Sequence, residues 1–125
     1  MSKAANDNED DRSAVLEEFD TKLLAITEGQ RKLRERLESV KVDSDEAFEI
    51  KTLLLRLDMK ADSIMRDREA FDEGESSIAP PSDDDMNEMN DRVQKIRDIN
   101  VKNQTARNVV ALVVQVTGAL PNVKK

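Results

Sequence analysis

The chain contains no Cys, no His, no Trp and no Tyr, and only three Phe, three Gly and three Pro among its 125 residues. Each absence closes a route. Without Cys or His there is no thiolate nucleophile, no imidazole proton shuttle, and none of the soft or imidazole ligands on which zinc and iron sites depend. Redox chemistry and most hydrolase designs are thereby set aside. The lack of Cys also removes any disulfide framework, which fits a reducing compartment. So few aromatic rings are a poor stock for a globular core. Long apolar runs are missing too: the longest, Val109 to Val114, falls far short of the roughly 18 residues of a membrane span. The N-terminal stretch MSKAANDNEDDR carries no apolar segment of the kind found in secretory signals, so a soluble, cytoplasmic protein is expected.

What the chain has in quantity is charge, at 38% of residues with a net charge of −7. Abundant Glu, Asp, Lys, Arg and Leu with scattered single apolar residues suit long helices that each bury one narrow stripe. Residues 1–9 read as a disordered acidic tail. From Leu16 a seam runs through Phe19, Leu23, Ile26, Gln30, Leu33, Leu37 and Val40, with gaps alternating between three and four. That is the signature of a coiled-coil helix, expected over about 10–41. Glu18 with Lys22 and Glu28 with Lys32 add acid-first pairs, worth a few tenths of a kcal/mol each. Gly29 costs about 1 kcal/mol relative to Ala, so with Gln30 it marks the softest turn.

A second seam follows at Ala47, Ile50, Leu54, Leu57, Ala61, Ile64, Arg68 and Phe71. It is out of phase with the first. The slip, together with Asp43 and Glu46 as a capping-box-like pair, predicts a turn near 42–44 and an antiparallel helical hairpin over 10–73. One continuous kinked rod is the alternative, since no Gly or Pro marks the turn. GESSIAPPSDDD, residues 74–85, is a break: Gly74 can end a helix, and Pro80 and Pro81 cannot continue one. It reads as a flexible linker.

A third helix is expected over 86–118, with Gly118 and Pro121 ending it before a basic tail at 119–125. Its seam begins at Met86, Met89, Val93 and Ile96, turns polar at Asn100, Asn103 and Arg107, and resumes at Val110, Val114 and Thr117. A step through Ile99 rotates the face onto Asn103, Ala106, Val110 and Val113 and leaves Asn103 as the one polar seam residue. On that path Asn103 is a register marker, a buried Asn that fixes pairing at a cost in stability. Residues 108–120 are apolar on nearly all sides. A helix end buried among several partners is the favoured reading, with an interfacial membrane contact or a Val-rich strand left open. Residues 43–73 hold 5 basic and 10 acidic side chains, whereas 92–125 hold 7 basic and 1 acidic. The third helix is therefore suited to lie along the second, or along an acidic partner. The expected fold class is all-α: an antiparallel helical hairpin plus a third long helix, as a coiled coil or elongated helical bundle.

Other patterns favour plainer explanations. Arg92, Lys95, Arg97, Lys102, Arg107, Lys124 and Lys125 lack neighbouring aromatic residues to stack bases, so no nucleic acid is expected. DDDMNEMND offers oxygen ligands at Asp83, Asp85 and Asn87, but Glu88 stands where a calcium loop needs Gly and Gln94 where it needs Glu. An acidic helix start is the better reading, and no metal or cofactor is expected. Asn103-Gln104-Thr105 matches a glycosylation sequon without a signal to bring it to that machinery. Ser82, followed by three Asp, has the form of an acidophilic kinase substrate. Carboxylate pairs such as Glu17 with Glu18 and Asp72 with Glu73 lie on solvated faces, without the cleft that acid-base catalysis needs.

The expected function is a non-enzymatic coiled-coil interaction protein, an adaptor or structural subunit of a multi-protein assembly, with no small-molecule substrate. The expected contact residues are Leu16, Phe19, Leu23, Ile26, Leu33 and Leu37 in the first seam, and Ile50, Leu54, Leu57, Ile64 and Phe71 in the second. Val93, Ile96, Asn103, Val110, Val113 and Val114 supply the third. Partners would be other helical proteins or copies of the chain itself, with membrane contact not expected. Two alternatives are a secretion chaperone or secreted helical component, and a membrane-tethering or fusion-type helix.

Overall fold

A computed structural model describes residues 2–122, with side chains from Asp10 onward. Among these residues there are four helices and no strand: α1 Ser2–Ser39, α2 Asp45–Asp72, α3 Asp83–Arg97 and α4 Ala106–Thr117. The all-helical class is as expected. α1 begins at Ser2 instead of near residue 10, so the helix runs through most of the stretch expected to be a disordered tail. Extending a nucleated helix costs far less than starting one. At about 1.5 Å per residue α1 is roughly 57 Å long, and the other three helices all pack on it.

α2 reverses direction along α1. Arg36 near the end of α1 pairs with Glu46 near the start of α2, and Arg12 near the start of α1 pairs with Asp72 at the end of α2. Ser44 caps α2, its Oγ accepting from the Ala47 N–H at 3.1 Å. The expected capping pair of Asp43 with Glu46 is not formed: the cap falls one residue later, on Ser44, and Glu46 pairs with Arg36. α2 ends at Gly74, whose φ of 79° lets the Glu75 N–H return to the Ala70 carbonyl at 2.8 Å. The chain then crosses the end of the bundle beside Arg12, Val15 and Phe71.

α3 begins at Asp83, capped by Ser82 Oγ accepting from the Asp85 N–H at 3.0 Å, with three Asp in its first turn to complement the helix dipole. It follows α1 in the same direction and ends where Arg97 lies 3.6 Å from Glu28. α4 returns antiparallel to α3. It packs against α1 and α3, and less extensively against α2, while α2 and α3 do not meet.

Three expectations fail here. The third segment is not one helix over 86–118: it is broken at 98–105, within the stretch whose seam turned polar. A continuous helix would carry Asn100, Asn103 and Arg107 toward the core, and leaving such groups unpaired there costs about 1–3 kcal/mol each. The break exposes them. Nor does the basic third lie wholly along α2. α3 lies on α1, and of these two helices only α4 reaches α2, where Arg107 pairs with Glu49 at 3.0 Å. Residues 119–122 are not a free basic tail either, because Leu120 is buried and the Pro121 carbonyl accepts from Arg56 Nε at 2.9 Å. Lys124 and Lys125 lie outside the described residues.

α1 and α4 approach closely at Gly29. A Cβ there would lie 2.5 Å from Val113 Cγ2, so any larger residue forces the local packing to shift. The residue that looked like a soft turn is the point where α4 is seated.

Candidate interaction surface

Most of the predicted seam residues form the single core. Phe19, Ile26, Leu33, Ile50, Leu57, Ile64, Val93, Ile96 and Val113 are buried in it, and Leu23, Leu37, Leu54, Phe71, Val110 and Val114 pack at its margin. Leu16 is half-buried. These residues are therefore occupied within the chain. Asn103 is exposed in the α3–α4 connection, so the buried register marker is not there. The exposed side chain follows from the helix break.

That connection is held by a polar clamp that the seam pattern does not reveal. Lys32 and Arg36, one helical turn apart on α1, face it. Lys32 Nζ donates to the Ile99 carbonyl at 2.8 Å, and Arg36 Nη1 donates to the Val101 carbonyl at 2.7 Å. Arg36 also grips both oxygens of Glu46, with Nε and Nη2 at 2.7 and 2.9 Å. Glu46 Oε2 in turn accepts from the Ala106 N–H at 3.2 Å, placing negative charge at the start of α4, where Thr105 makes no side-chain cap. The Arg36 guanidinium holds the Glu46 carboxyl below its ordinary pKa of 4.5, against the opposing effect of burial and with help from the Ala106 N–H. Within the loop, Asn100 Oδ1 accepts from the Lys102 N–H at 3.0 Å and turns the chain.

An exposed apolar stripe lies on α2. Phe48 is 61% exposed and Leu55 is 48% exposed, with Met59 also exposed and Thr52 between them. The positions 48, 52, 55 and 59 step by four, three and four, so they align on one face. The core residues Ile50, Leu57 and Ile64 occupy the opposite face. Beside this stripe α2 and α4 diverge and leave a groove of about 600 Å³. Its walls are Thr52, Leu53 and Arg56 from α2 and Val110, Ala111 and Val114 from α4, with Glu49 and Arg107 at one end. A second hollow lies farther along α2, between Met59, Lys60 and Ser63 and the segment Ala119–Pro121. Sequence reasoning passed over Phe48, Leu55 and Met59 because it followed one seam per helix. The signal was present as a second set of apolar residues at helical spacing, out of phase with the first.

Ser82 is exposed and its hydroxyl caps α3. Among the described residues, no helix is long and apolar enough to cross a membrane, and no cluster of three or more acidic side chains is placed to hold a metal ion. No family model, curated protein or solved structure matches the chain.

Proposed function

We propose that this chain is a non-enzymatic helical interaction subunit, with the outward face of α2 and the adjoining α2–α4 groove as its docking surface. The observation that carries this reading is the Phe48, Leu55 and Met59 stripe: a helix whose core face is already satisfied has a second apolar face turned to solvent. A groove lined by Leu53, Val110, Ala111 and Val114 and edged by Glu49, Arg56 and Arg107 has the makeup of a seat for an amphipathic helix. Its apolar floor would take the anchors and its charged rim would set orientation. On this reading the coiled-coil character sits in the long α1–α2 pair, which serves as a rigid support for the α2 surface.

The test is affinity purification followed by cross-linking mass spectrometry. A partner should cross-link to Lys51 and Lys60, which flank the stripe, and Leu55→Asp should abolish its recovery while leaving helicity unchanged. A partner that cross-links only elsewhere and is retained by Leu55→Asp would refute this assignment.

A further inference from the structure

Resting on that reading, we infer that the occupant of the α2 stripe is a second copy of this chain. The two α2 helices pack antiparallel about a two-fold axis passing between residues 53 and 54. In this register Phe48 faces the partner's Met59, and Thr52 faces the partner's Leu55. The two-fold repeats each pairing, so all four stripe positions are covered on both copies.

The residues bordering the stripe select this arrangement. Glu49 and Arg56 lie on the α4 side of the stripe, and Lys51 and Asp58 on the other side. Antiparallel pairing in this register sets Glu49 beside the partner's Arg56 and Lys51 beside the partner's Asp58, giving four opposite-charge pairs in all. The other arrangements are penalised. A parallel pair brings Lys51 next to the partner's Arg56. An antiparallel pair shifted by one heptad sets Asp58 against Asp58 and Arg56 against Arg56.

The side chains are also placed to take these roles. Arg56 uses only its Nε within the described chain, on the Pro121 carbonyl. Asp58 is oriented by Gln30 Nε2, which donates to its Oδ1 at 2.6 Å. Glu49 already accepts from Arg107 at 3.0 and 3.2 Å, and a carboxylate has capacity for a further donor. The net charge of −7 opposes association of two copies. At physiological salt this long-range repulsion is screened beyond about 8 Å, whereas the four contact pairs lie well inside that distance.

The test uses the full chain. Size-exclusion chromatography with light scattering over a concentration series should give a monomer–dimer equilibrium, which Leu55→Asp weakens by about tenfold or more. Lys51→Glu should weaken it too, and adding Asp58→Lys to that variant should restore it, because the swap rebuilds both symmetric pairs. The native chain has no Cys, so Thr52→Cys reports geometry directly. The two copies of position 52 are offset by about 4.5 Å along the helices and those of position 59 by roughly 16 Å. Thr52→Cys should therefore form a disulfide-linked dimer under mild oxidation, and Met59→Cys should not.

A chain that stays monomeric at every concentration with native helicity overturns the inference, as does a dimer unaffected by Leu55→Asp or by the charge swap. If the chain is monomeric but Leu55→Asp removes a different helical protein from the α2 surface, this inference falls and the docking surface stands. If Leu55→Asp changes neither, both fall.

Discussion

Replacing Gly29 by Ala tests the bundle at its tightest point. In an isolated helix the change should stabilise by about 1 kcal/mol, because glycine gives up the most backbone freedom on becoming helical. In this chain the new methyl would lie 2.5 Å from Val113 Cγ2, against the ordinary carbon–carbon contact of about 3.5–4.0 Å. More than about 1 Å of separation must be created. Val113 is buried, and a β-branched side chain in a helix has one strongly preferred rotamer, so it cannot swing aside. Overpacking of this kind costs about 1–3 kcal/mol, which makes the net effect roughly 0–2 kcal/mol destabilising. Val113→Ala alone should cost roughly 1.5–3 kcal/mol through lost burial. With Val113 truncated the clash is gone, and Gly29→Ala should then stabilise by about 1 kcal/mol. The sign of one substitution thus depends on the other, and a double-mutant cycle followed by urea unfolding at 222 nm measures the coupling. Gly29→Ala stabilising by the same amount in both backgrounds would refute the close approach of α1 and α4.

Glu46 gives a pH-dependent counterpart. Its folded pKa is depressed, first by the hydrogen bonds from Arg36, so its stabilisation is present above the ordinary value of 4.5 and lost as pH falls through the lower folded value. Glu46→Gln should be less stable than the parent near neutrality by about 1 kcal/mol, a figure discounted for partial exposure. The gap should close as thermal melts are moved down into the acid range, and a constant gap would show that the carboxylate charge is not what matters. Glu28, held low first by Arg31, has the same sign, so the parent loses stability in that window from two sites. Asn100 and Asn103 should separate cleanly. Asn100→Ala loses the side-chain bond that turns the connection and should cost about 1 kcal/mol, whereas exposed Asn103→Leu should fall within about 0.5 kcal/mol of the parent. Chemical denaturation distinguishes the two, and a stabilising Asn103→Leu would mean that Asn103 is buried after all.

The pattern of α1 and α2 could be read because their apolar residues recur with helical period, and burial follows that period wherever a helix has one neighbour. α1 has three. Val15, Ala25 and Gly29 are buried beside the predicted seam because α3 and α4 cover further sides of it, and a one-seam reading has no place for them. The break at 98–105 was not legible for a different reason. Its sequence contains neither Gly nor Pro, and carbonyls of the connection itself, those of Ile99 and Val101, are satisfied from far away in the chain, by Lys32 and Arg36. Local propensity carries no trace of donors some 65 residues distant. With the break goes the helical phase: α4 restarts on Ala106, Val109, Val113 and Val116, which turns Val110 and Val114 toward the α2 groove.

The same asymmetry explains why the exposed apolar stripe falls on α2. α1 is covered by three helices and keeps one mainly polar face, Glu17, Asp20, Leu24, Thr27 and Arg31, in solvent, and α4 fits among α1, α3 and part of α2. α2 meets α1 along one face and α4 over a limited stretch, so much of its circumference faces solvent. A helix placed there needs only one apolar face, and solubility favours polar residues on the other. Phe48, Leu55 and Met59 break that rule together, at spacings that align them, between flanking charges of opposite sign. Scattered exposed apolar residues need no explanation, but an aligned set on the face opposite a completed core adds nothing to the stability of the isolated bundle. Substituting Phe48 and Met59 by Gln should accordingly leave unfolding free energy at low protein concentration within about 0.5 kcal/mol of the parent. At high concentration, where association contributes, the parent should become the more stable of the two. Equal stability at every concentration would remove the reason for assigning this face a partner.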